Sequence, residues 1–264
     1  MKTFASVAEM VAQLTANSQS IALEGYNHLI PFAFAHELIR AKRKDIHLLR
    51  LSADIVSDQL VGSGVVAKLT TGWHGNPIGG SLPRLDDARA HKWPRAVTFE
   101  DLSHPSMASA YAAGAARAPF ALVTDLPLLA LDEHKLLLRA IQDPFSGNIF
   151  HVIPPLNPQV AVLHAQRADT QGNIQFEGIV GAAKEVAYAS ASVLVTVEEV
   201  VDKLEPKLNS LVLPHDLIDA IAVVPRGAVP SYAYGLYERN VQAYSDWHEI
   251  SSDRALFKRW LEEI

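Results

Sequence analysis

Short runs of Val, Ile and Leu recur along this chain, separated by segments of helical period, and that alternation limits the folds open to it. A helix is expected from Val7 to Thr15, a strand from Ser20 to Leu23, and a helix from Pro31 to Lys42, with Pro31 suited to the first helical position. Strands follow at His47 to Leu51, Val65 to Leu69 and Ala96 to Phe99. The segment from Pro105 to Arg117 reads as a helix whose run Ala112-Ala-Gly-Ala-Ala116 permits close packing. Beyond it come a strand at Phe120 to Thr124, a helix at Asp132 to Ile141, a buried strand at Val160 to Leu163 and a helix at Val180 to Ala191. Two more strands are expected at Val193 to Val197 and Ala220 to Val224. In the last helix, Ser251, Ser252 and Asp253 are capping choices, and Leu256, Phe257, Trp260 and Leu261 recur on one face. Strands this apolar need cover on both sides, so the expectation is an α/β fold: a mostly parallel open sheet with helices on both faces. Ligands gather at the carboxyl ends of such strands, which directs attention to the loops after Leu69, Phe99 and Leu163.

With 264 residues, 49% hydrophobic and 20% charged, the chain can build a substantial core, and it shows no linker, internal repeat or low-complexity tract. A single domain over residues 1–264 is expected. The longest irregular zone, Gly72 to Pro83, suits a binding loop better than a boundary. A net charge of -6 leaves no basic footprint for nucleic acid. The one basic run, Arg40, Lys42, Arg43 and Lys44, closes a predicted helix, where cations complement the dipole. Absence of cysteine excludes disulfides, thiolate zinc sites and a cysteine nucleophile. The N-terminal segment carries Glu9 rather than a basic and apolar leader, and no apolar run approaches membrane length, so a cytoplasmic location without membrane partners is expected. No His-x-x-x-His pair stands near a third ligand. His28, His36, His74, His91, His104, His134, His151 and His164 are read as helix-face, loop or satisfied core residues, and no metal is expected.

Several constellations could carry chemistry. The loop from Thr71 to Ser81 contains four glycines, which let a backbone approach a ligand and aim its amides at a developing oxyanion. Asn76, Gly79, Gly80 and Ser81 are therefore ligand-site candidates, against the alternative of a surface loop with turn glycines. Gly62-Ser-Gly64 lacks the third glycine and helix of a dinucleotide loop and reads as a turn. Glu100 and Asp101, with Ser103 and His104 close behind, admit three roles: a helix-capping region, a set of substrate contacts, or a catalytic carboxylate at Glu100. Asp169, Gly172 and Asn173 have the chemistry of a tight turn leading into a strand at Ile174 to Phe176. Among the other polar groups near strand ends, besides Glu177, Lys184 and Glu185 read as solvated or capping charges, and Glu198 and Glu199 as structural or interface groups.

Taken in order, His164 to Gly178, Gly178-Ile-Val-Gly-Ala-Ala-Lys-Glu185, Val193 to Asp202 and Pro225-Arg-Gly-Ala-Val-Pro-Ser-Tyr232 resemble the alpha subunit of family I coenzyme A transferases, in the glutaconate CoA-transferase branch. Upstream, Gly62 to Lys68, Ser103-His-Pro-Ser-Met107 and Asp143-Pro-Phe-Ser-Gly147 share the resemblance, as do Tyr244-Ser-Asp-Trp247 and Phe257-Lys-Arg-Trp-Leu261 downstream. The resemblance implies an α2β2 enzyme that moves CoA between an acyl-CoA and a carboxylic acid through a glutamyl-CoA intermediate on the beta subunit. CoA would be a substrate, with no permanently bound cofactor, and Asn76, Gly79, Gly80 and Ser81 would serve the acyl or CoA site. The chain departs from the family in having Glu24-Gly25-Tyr26 for Gly-Gly-Phe, Val229 for a histidine, Gly72-Trp-His-Gly-Asn76 for Ser-Trp-x-Gly-Asn, and Glu100-Asp-Leu102 for Glu-Glu-Tyr. Steroid-ring-cleaving acyl-CoA hydrolases resemble the same alpha-type chain, and that alternative would use Glu100. A non-enzymatic metabolite sensor on a related scaffold is a third possibility.

Overall fold

Alternation within each strand sends successive side chains to opposite sides of the sheet, and here both sides are apolar. Ile21 and Leu23 join Leu48, Leu69, Val160 and Val162 on one side, while Ala22, Leu49, Ala161 and Leu163 join Val193 and Val195 on the other. The computed structural model describes residues 2–4, 6–12, 20–123 and 137–264. In chain order its elements are β1 (Lys2–Phe4), α1 (Val7–Ala12), β2 (Ser20–Leu23), α2 (Phe32–Arg40), β3 (Ile46–Arg50), α3 (Ile55–Gly62), β4 (Val66–Thr71), α4 (Pro83–His91), β5 (Thr98–Asp101), α5 (His104–Ala115) and β6 (Ala121–Val123). They continue with β7 (Arg139–Gln142), β8 (Ile149–Ile153), β9 (Val160–Asp169), β10 (Ile174–Glu177), α6 (Ala183–Ala189), β11 (Ser192–Val201), β12 (Ser210–Leu213), β13 (Ala220–Val223), α7 (Val241–Ser252) and α8 (Arg254–Glu263).

The main sheet has ten strands, with β1-β13-β11-β9-β2-β3-β4-β5 as its parallel path and β10 and β12 attached antiparallel beside β9. Helices α1, α2, α3, α4, α7 and α8 contribute to the core on one face, and α5 and α6 to the core on the other. The mostly parallel α/β sheet expected from the alternation is therefore present. Strand β2 lies between β3 and β9, so the order of the chain reverses there. Loops leaving the carboxyl ends of strands at such a reversal part and open a crevice.

Some expected elements differ. Residues 132–136 of the expected Asp132 to Ile141 helix lie outside the described residues, and Arg139–Gln142 is a strand paired antiparallel with β8. Asp143 explains the choice: its carboxylate accepts from the amides of Phe145 and Ser146, closing a hairpin turn that commits the flanking residues to pairing. Pro31 is the N-cap residue of α2 rather than its first helical residue. Helix α3 gave no amphipathic signal because all eight of its residues are buried. Strand β9 runs past Leu163 because its polar residues find partners: Gln166 donates to the Glu177 carbonyl at 3.0 Å and accepts from the Glu177 amide at 3.0 Å.

Candidate functional site

Gly25 lies two residues past the end of β2, and an added Cβ there would lie 2.5 Å from the Leu29 carbonyl oxygen and 2.8 Å from that of His28. Only glycine allows the chain to fold back so tightly. The turn it starts holds Asn27 at φ 60° and Leu29 at φ 51°, left-handed conformations that cost a leucine about 1–2 kcal/mol. Distant groups keep it there. Tyr232 accepts from the Leu29 amide at 3.0 Å, and Arg239 donates to the Asn27 carbonyl at 2.7 Å and to the Asn27 side-chain oxygen.

Below the turn, charge is buried and paired. Glu24 accepts from the Leu51 amide at 2.7 Å and from the Tyr111 hydroxyl at 3.1 Å. Arg50, 0% exposed, donates to the carbonyls of Leu23 at 2.6 Å and Ser52 at 2.9 Å and reaches Asp54 at 3.4 Å. Asp54 also caps α3 by accepting from the Val56 amide. Burial pushes the carboxyls of Glu24 and Asp54 above their ordinary range, with Arg50 opposing it in both. The guanidinium thus gathers the carboxyl ends of β2 and β3 into one floor.

Strand β4 delivers the other wall. The Ala53 amide donates to the Trp73 carbonyl at 2.7 Å, and the Gly75 amide to the Ala53 carbonyl at 3.0 Å, fastening the loop beside Asp54. His104, at the start of α5, has the Tyr26 ring 5.6 Å and the Trp73 ring 6.5 Å from its own. Burial lowers the His104 pKa, with the Leu51 backbone acting the other way. Between these groups lies a cavity of about 430 Å³ lined by Tyr26, Asn27, Ser52, Asp54, Trp73, Pro77 and His104. It opens where three adjacent parallel strands, β2, β3 and β4, end. Aromatic and polar groups share its wall, the usual mixture of a small-molecule pocket.

The candidates named from sequence stand in four places. Asn76 is buried next to this cavity's wall, donating to the Tyr244 carbonyl at 2.8 Å and accepting from the Ile78 amide at 3.2 Å. Gly79, Gly80 and Ser81 are exposed, and Ser81 borders a separate hollow with Arg84, Asp87 and His248. Glu100 belongs to β5, not to the loop after it, and borders another hollow of about 540 Å³ with Arg89 and Phe99. Its two oxygens meet Lys68 Nζ at 2.6 Å and the Thr70 hydroxyl at 2.8 Å, and His47 Nε2 lies 2.8 Å from that hydroxyl. Burial, then the nearby Lys68, lowers the His47 pKa to about 4. Ser103 is the N-cap of α5, accepting from the Ser106 amide at 3.1 Å.

Glu198 sits within β11 at the centre of a buried network. His164 meets it at 2.8 Å through Nε2 and meets Thr196 at 2.8 Å through Nδ1, while Tyr237 and the Arg226 amide donate to the same carboxylate. Burial works to raise the Glu198 carboxyl, but these donors outweigh it and hold it below its ordinary value. Glu199 and Glu177 both pair with Arg167, and Glu177 also with Lys207 at 2.9 Å. Asp169 accepts from the amides of Gln171 and Asn173, and Gly172 has φ 93°, as the turn chemistry required. Lys184 is exposed and Glu185 half-buried on α6. Among the described residues, no group of three or more His, Asp or Glu side chains is placed to hold a metal ion. No described helix is long and apolar enough to cross a membrane.

Sequence reasoning passed over Tyr26, Asn27, Ser52, Asp54 and Trp73 as cavity residues. The signal available was positional: Glu24-Gly25 immediately follows a strand at the order reversal.

The chain is similar to known proteins in sequence and in fold. A sequence model described as coenzyme A transferase matches residues 4–223. The chain is 42% identical over 263 residues to the A-type subunit of 3-oxoadipate CoA-transferase from Pseudomonas knackmussii, covering 100% of this chain and 93% of the relative. The A-type subunit of glutaconate CoA-transferase from Acidaminococcus fermentans is 26% identical over 291 residues, covering 100% and 89%. The crystal structure of glutaconate coenzyme A-transferase from the same organism superposes with a TM-score of 0.88 at 23% identity, covering 100% of this chain and 88% of that one. The decarboxylase AibA/AibB gives a TM-score of 0.80 at 26% identity, covering 98% and 99%.

Proposed function

Because this chain belongs to the coenzyme A transferase family, we propose that the cavity at the ends of β2, β3 and β4 receives the acid portion of the substrate while CoA is exchanged between two acids. The chain is a CoA transferase subunit of the alpha type. Coenzyme A is a substrate of the reaction, with no resident cofactor in the scheme. Both transferase relatives are named for dicarboxylic acids, 3-oxoadipate and glutaconate, so the proposed acid is a short dicarboxylate. Residues 1–264 act as one domain on this reading, which the continuous main sheet supports.

One observation supports an incomplete site. The only carboxylate among the cavity's lining residues, Asp54, already caps α3 and faces Arg50, so it is poorly disposed to attack a thioester. The family resemblance implies that the nucleophile is a glutamate of a beta-type partner, in a hetero-oligomer such as α2β2. Its carboxylate attacks the acyl-CoA carbonyl, breaking the thioester and giving an acyl-glutamyl anhydride with CoA thiolate. The thiolate attacks the glutamyl carbonyl, releasing the first acid as its carboxylate and leaving glutamyl-CoA. An incoming carboxylate reverses both steps. Nothing favours the hydrolytic alternative through Glu100, whose two oxygens are engaged by Lys68 and Thr70.

The test mixes this chain with its beta-type partner, an acyl-CoA and 3-oxoadipate. Formation of 3-oxoadipyl-CoA, with CoA trapped covalently on the partner when the acceptor is withheld, is the expected result. Free CoA released at the same rate without any acceptor acid would overturn it in favour of hydrolysis.

A further inference from the structure

His28 is completely buried, yet it lies in the turn that carries Tyr26 and Asn27 to the cavity. Both of its ring nitrogens are engaged by backbone groups that leave no freedom of role. The Tyr234 amide, 2.8 Å from Nε2, can only donate, so Nε2 must be an unprotonated acceptor. The Ile179 carbonyl, 3.0 Å from Nδ1, can only accept, so Nδ1 must carry the proton. One neutral tautomer therefore ties the turn after β2 to the loop before α6 and to the segment after β13. The Tyr232 ring lies 4.7 Å from the imidazole, and Tyr232 also accepts from the Leu29 amide. Burial, with a smaller contribution from His164, lowers the His28 pKa and favours the neutral form, against the Ile179 bond.

The flanking backbone shows what this imidazole holds. Asn27 and Leu29 adopt left-handed conformations on either side of His28, and strain of that kind persists only where surrounding contacts over-determine it. Tyr26 and Asn27 line the same cavity as Asp54 and Trp73, so the conformation of the turn sets part of the cavity's wall.

We propose that His28 is a positioning residue of the transferase reaction: its Nδ1–H tautomer, clamped between Ile179 and Tyr234, sets the strained turn that presents Tyr26 and Asn27 to the acid substrate. The inference rests on the proposed use of this cavity. His28 itself touches no reacting atom, so its effect falls on the geometry of the bound acid.

The experiment uses the assembled enzyme with its partner and compares four variants. His28→Asn keeps a donor at the Nδ1 position and loses the acceptor, whereas His28→Gln can keep the acceptor and lose the donor. Leu38→Ala, in the core far along α2, is the stability control, and Trp73→Ala removes a cavity wall directly. Each His28 variant is expected to lower kcat roughly ten- to a hundredfold through misplacement of the acid, beyond anything seen for Leu38→Ala at an equal loss of unfolding stability. Trp73→Ala is expected to raise KM for the acid. If the His28 variants show only the kinetics of Leu38→Ala while Trp73→Ala raises that KM, the positioning role is wrong and the cavity reading survives. If Trp73→Ala leaves the acid's kinetics unchanged, the cavity reading falls and the inference with it.

Discussion

The turn from Glu24 to Leu29 and the loop from Gly72 to Ser81 wall the same cavity, but they are held to different extents by the rest of the fold. The turn is fixed from far away: by Ile179, Tyr232, Tyr234 and Arg239 above and by Arg50 and Tyr111 below. The glycine-rich loop is tied at its start to Leu51 and Ala53 by backbone bonds, and towards its tip it holds itself, with the Gly79 amide bonded to the Asn76 carbonyl and the Ile78 amide to the Asn76 side chain. Asn76 also ties it to Tyr244. Trp73 is 42% exposed, whereas His28 and Arg50 are 0% exposed. One wall is a buried turn set throughout by tertiary contacts, and the other is anchored beside β3 but ends in a locally built tip facing outward. A site shared with a second protein chain would use the first to fix the acid and the second to meet what approaches from outside.

The largest effect that tests this contrast comes from below the turn. Arg50→Met should lower stability by about 3–5 kcal/mol in urea unfolding, because it leaves buried Asp54 and Glu24 without their compensating charge. A loss under ~1 kcal/mol would mean that the floor is not held electrostatically. The glycines give a paired comparison next. Gly25→Ala drives its Cβ against the backbone of His28, Leu29 and Ile30, which costs about 1–3 kcal/mol or more and should reduce turnover as well. Gly79→Ala meets nothing within 4 Å and feels only the strain of φ 118°, about 1 kcal/mol. Equal losses for the two would erase the distinction between the walls.

The strands that build the site were readable because burial on both sheet faces leaves continuous Val, Ile and Leu runs, as at Ile21 to Leu23 and Val160 to Leu163. The last helix was readable from its cap: Asp253 accepts from the amides of Ala255 and Leu256. Polar residues in strands were not. His164 looked like the end of β9 because its partners, Thr196 and Glu198, lie more than 30 positions away in sequence. The cavity was half legible for the same reason. Glycines marked the loop after β4, whose conformation is local, and so directed attention to Asn76 and Ser81. His28 and Glu24 acquire their roles from contacts across the whole fold, which no local spacing encodes. His104 was noticed for its nearness to Glu100, yet the structure puts it with Tyr26 and Trp73 instead.

The two walls should also differ in their response to pH. Glu24 has a folded-state pKa above its ordinary 4.5, chiefly through burial, so the folded protein holds its proton more tightly than the unfolded chain. That contribution to stability is complete below 4.5 and is lost as pH rises through the raised value. Glu24→Gln can still accept from Leu51 and Tyr111, and it should flatten this decline in unfolding free energy above pH 4.5. The loop from Gly72 to Ser81 contains no carboxyl group and so brings no carboxyl titration of its own. A Glu24→Gln variant whose stability falls with pH as steeply as the parent's would place the titration elsewhere.

The smallest stability effect should come from the tip of the exposed wall. Ser81 makes no close contribution to the 430 Å³ cavity and lies in the open beside Pro83 and His248. Ser81→Ala should therefore change unfolding stability by less than ~0.5 kcal/mol. Its kinetics decide what the outward arm meets. If this stretch lies against the CoA portion, loss of one hydroxyl contact raises KM for the acyl-CoA roughly two- to tenfold and leaves both kcat and KM for the acid alone. That split would separate the two walls by substrate: the clamped turn for the acid, the self-held loop for the thioester carrier. Unchanged constants for both substrates would remove Ser81 from the site and leave Trp73 and Pro77 as the loop's contribution to the cavity.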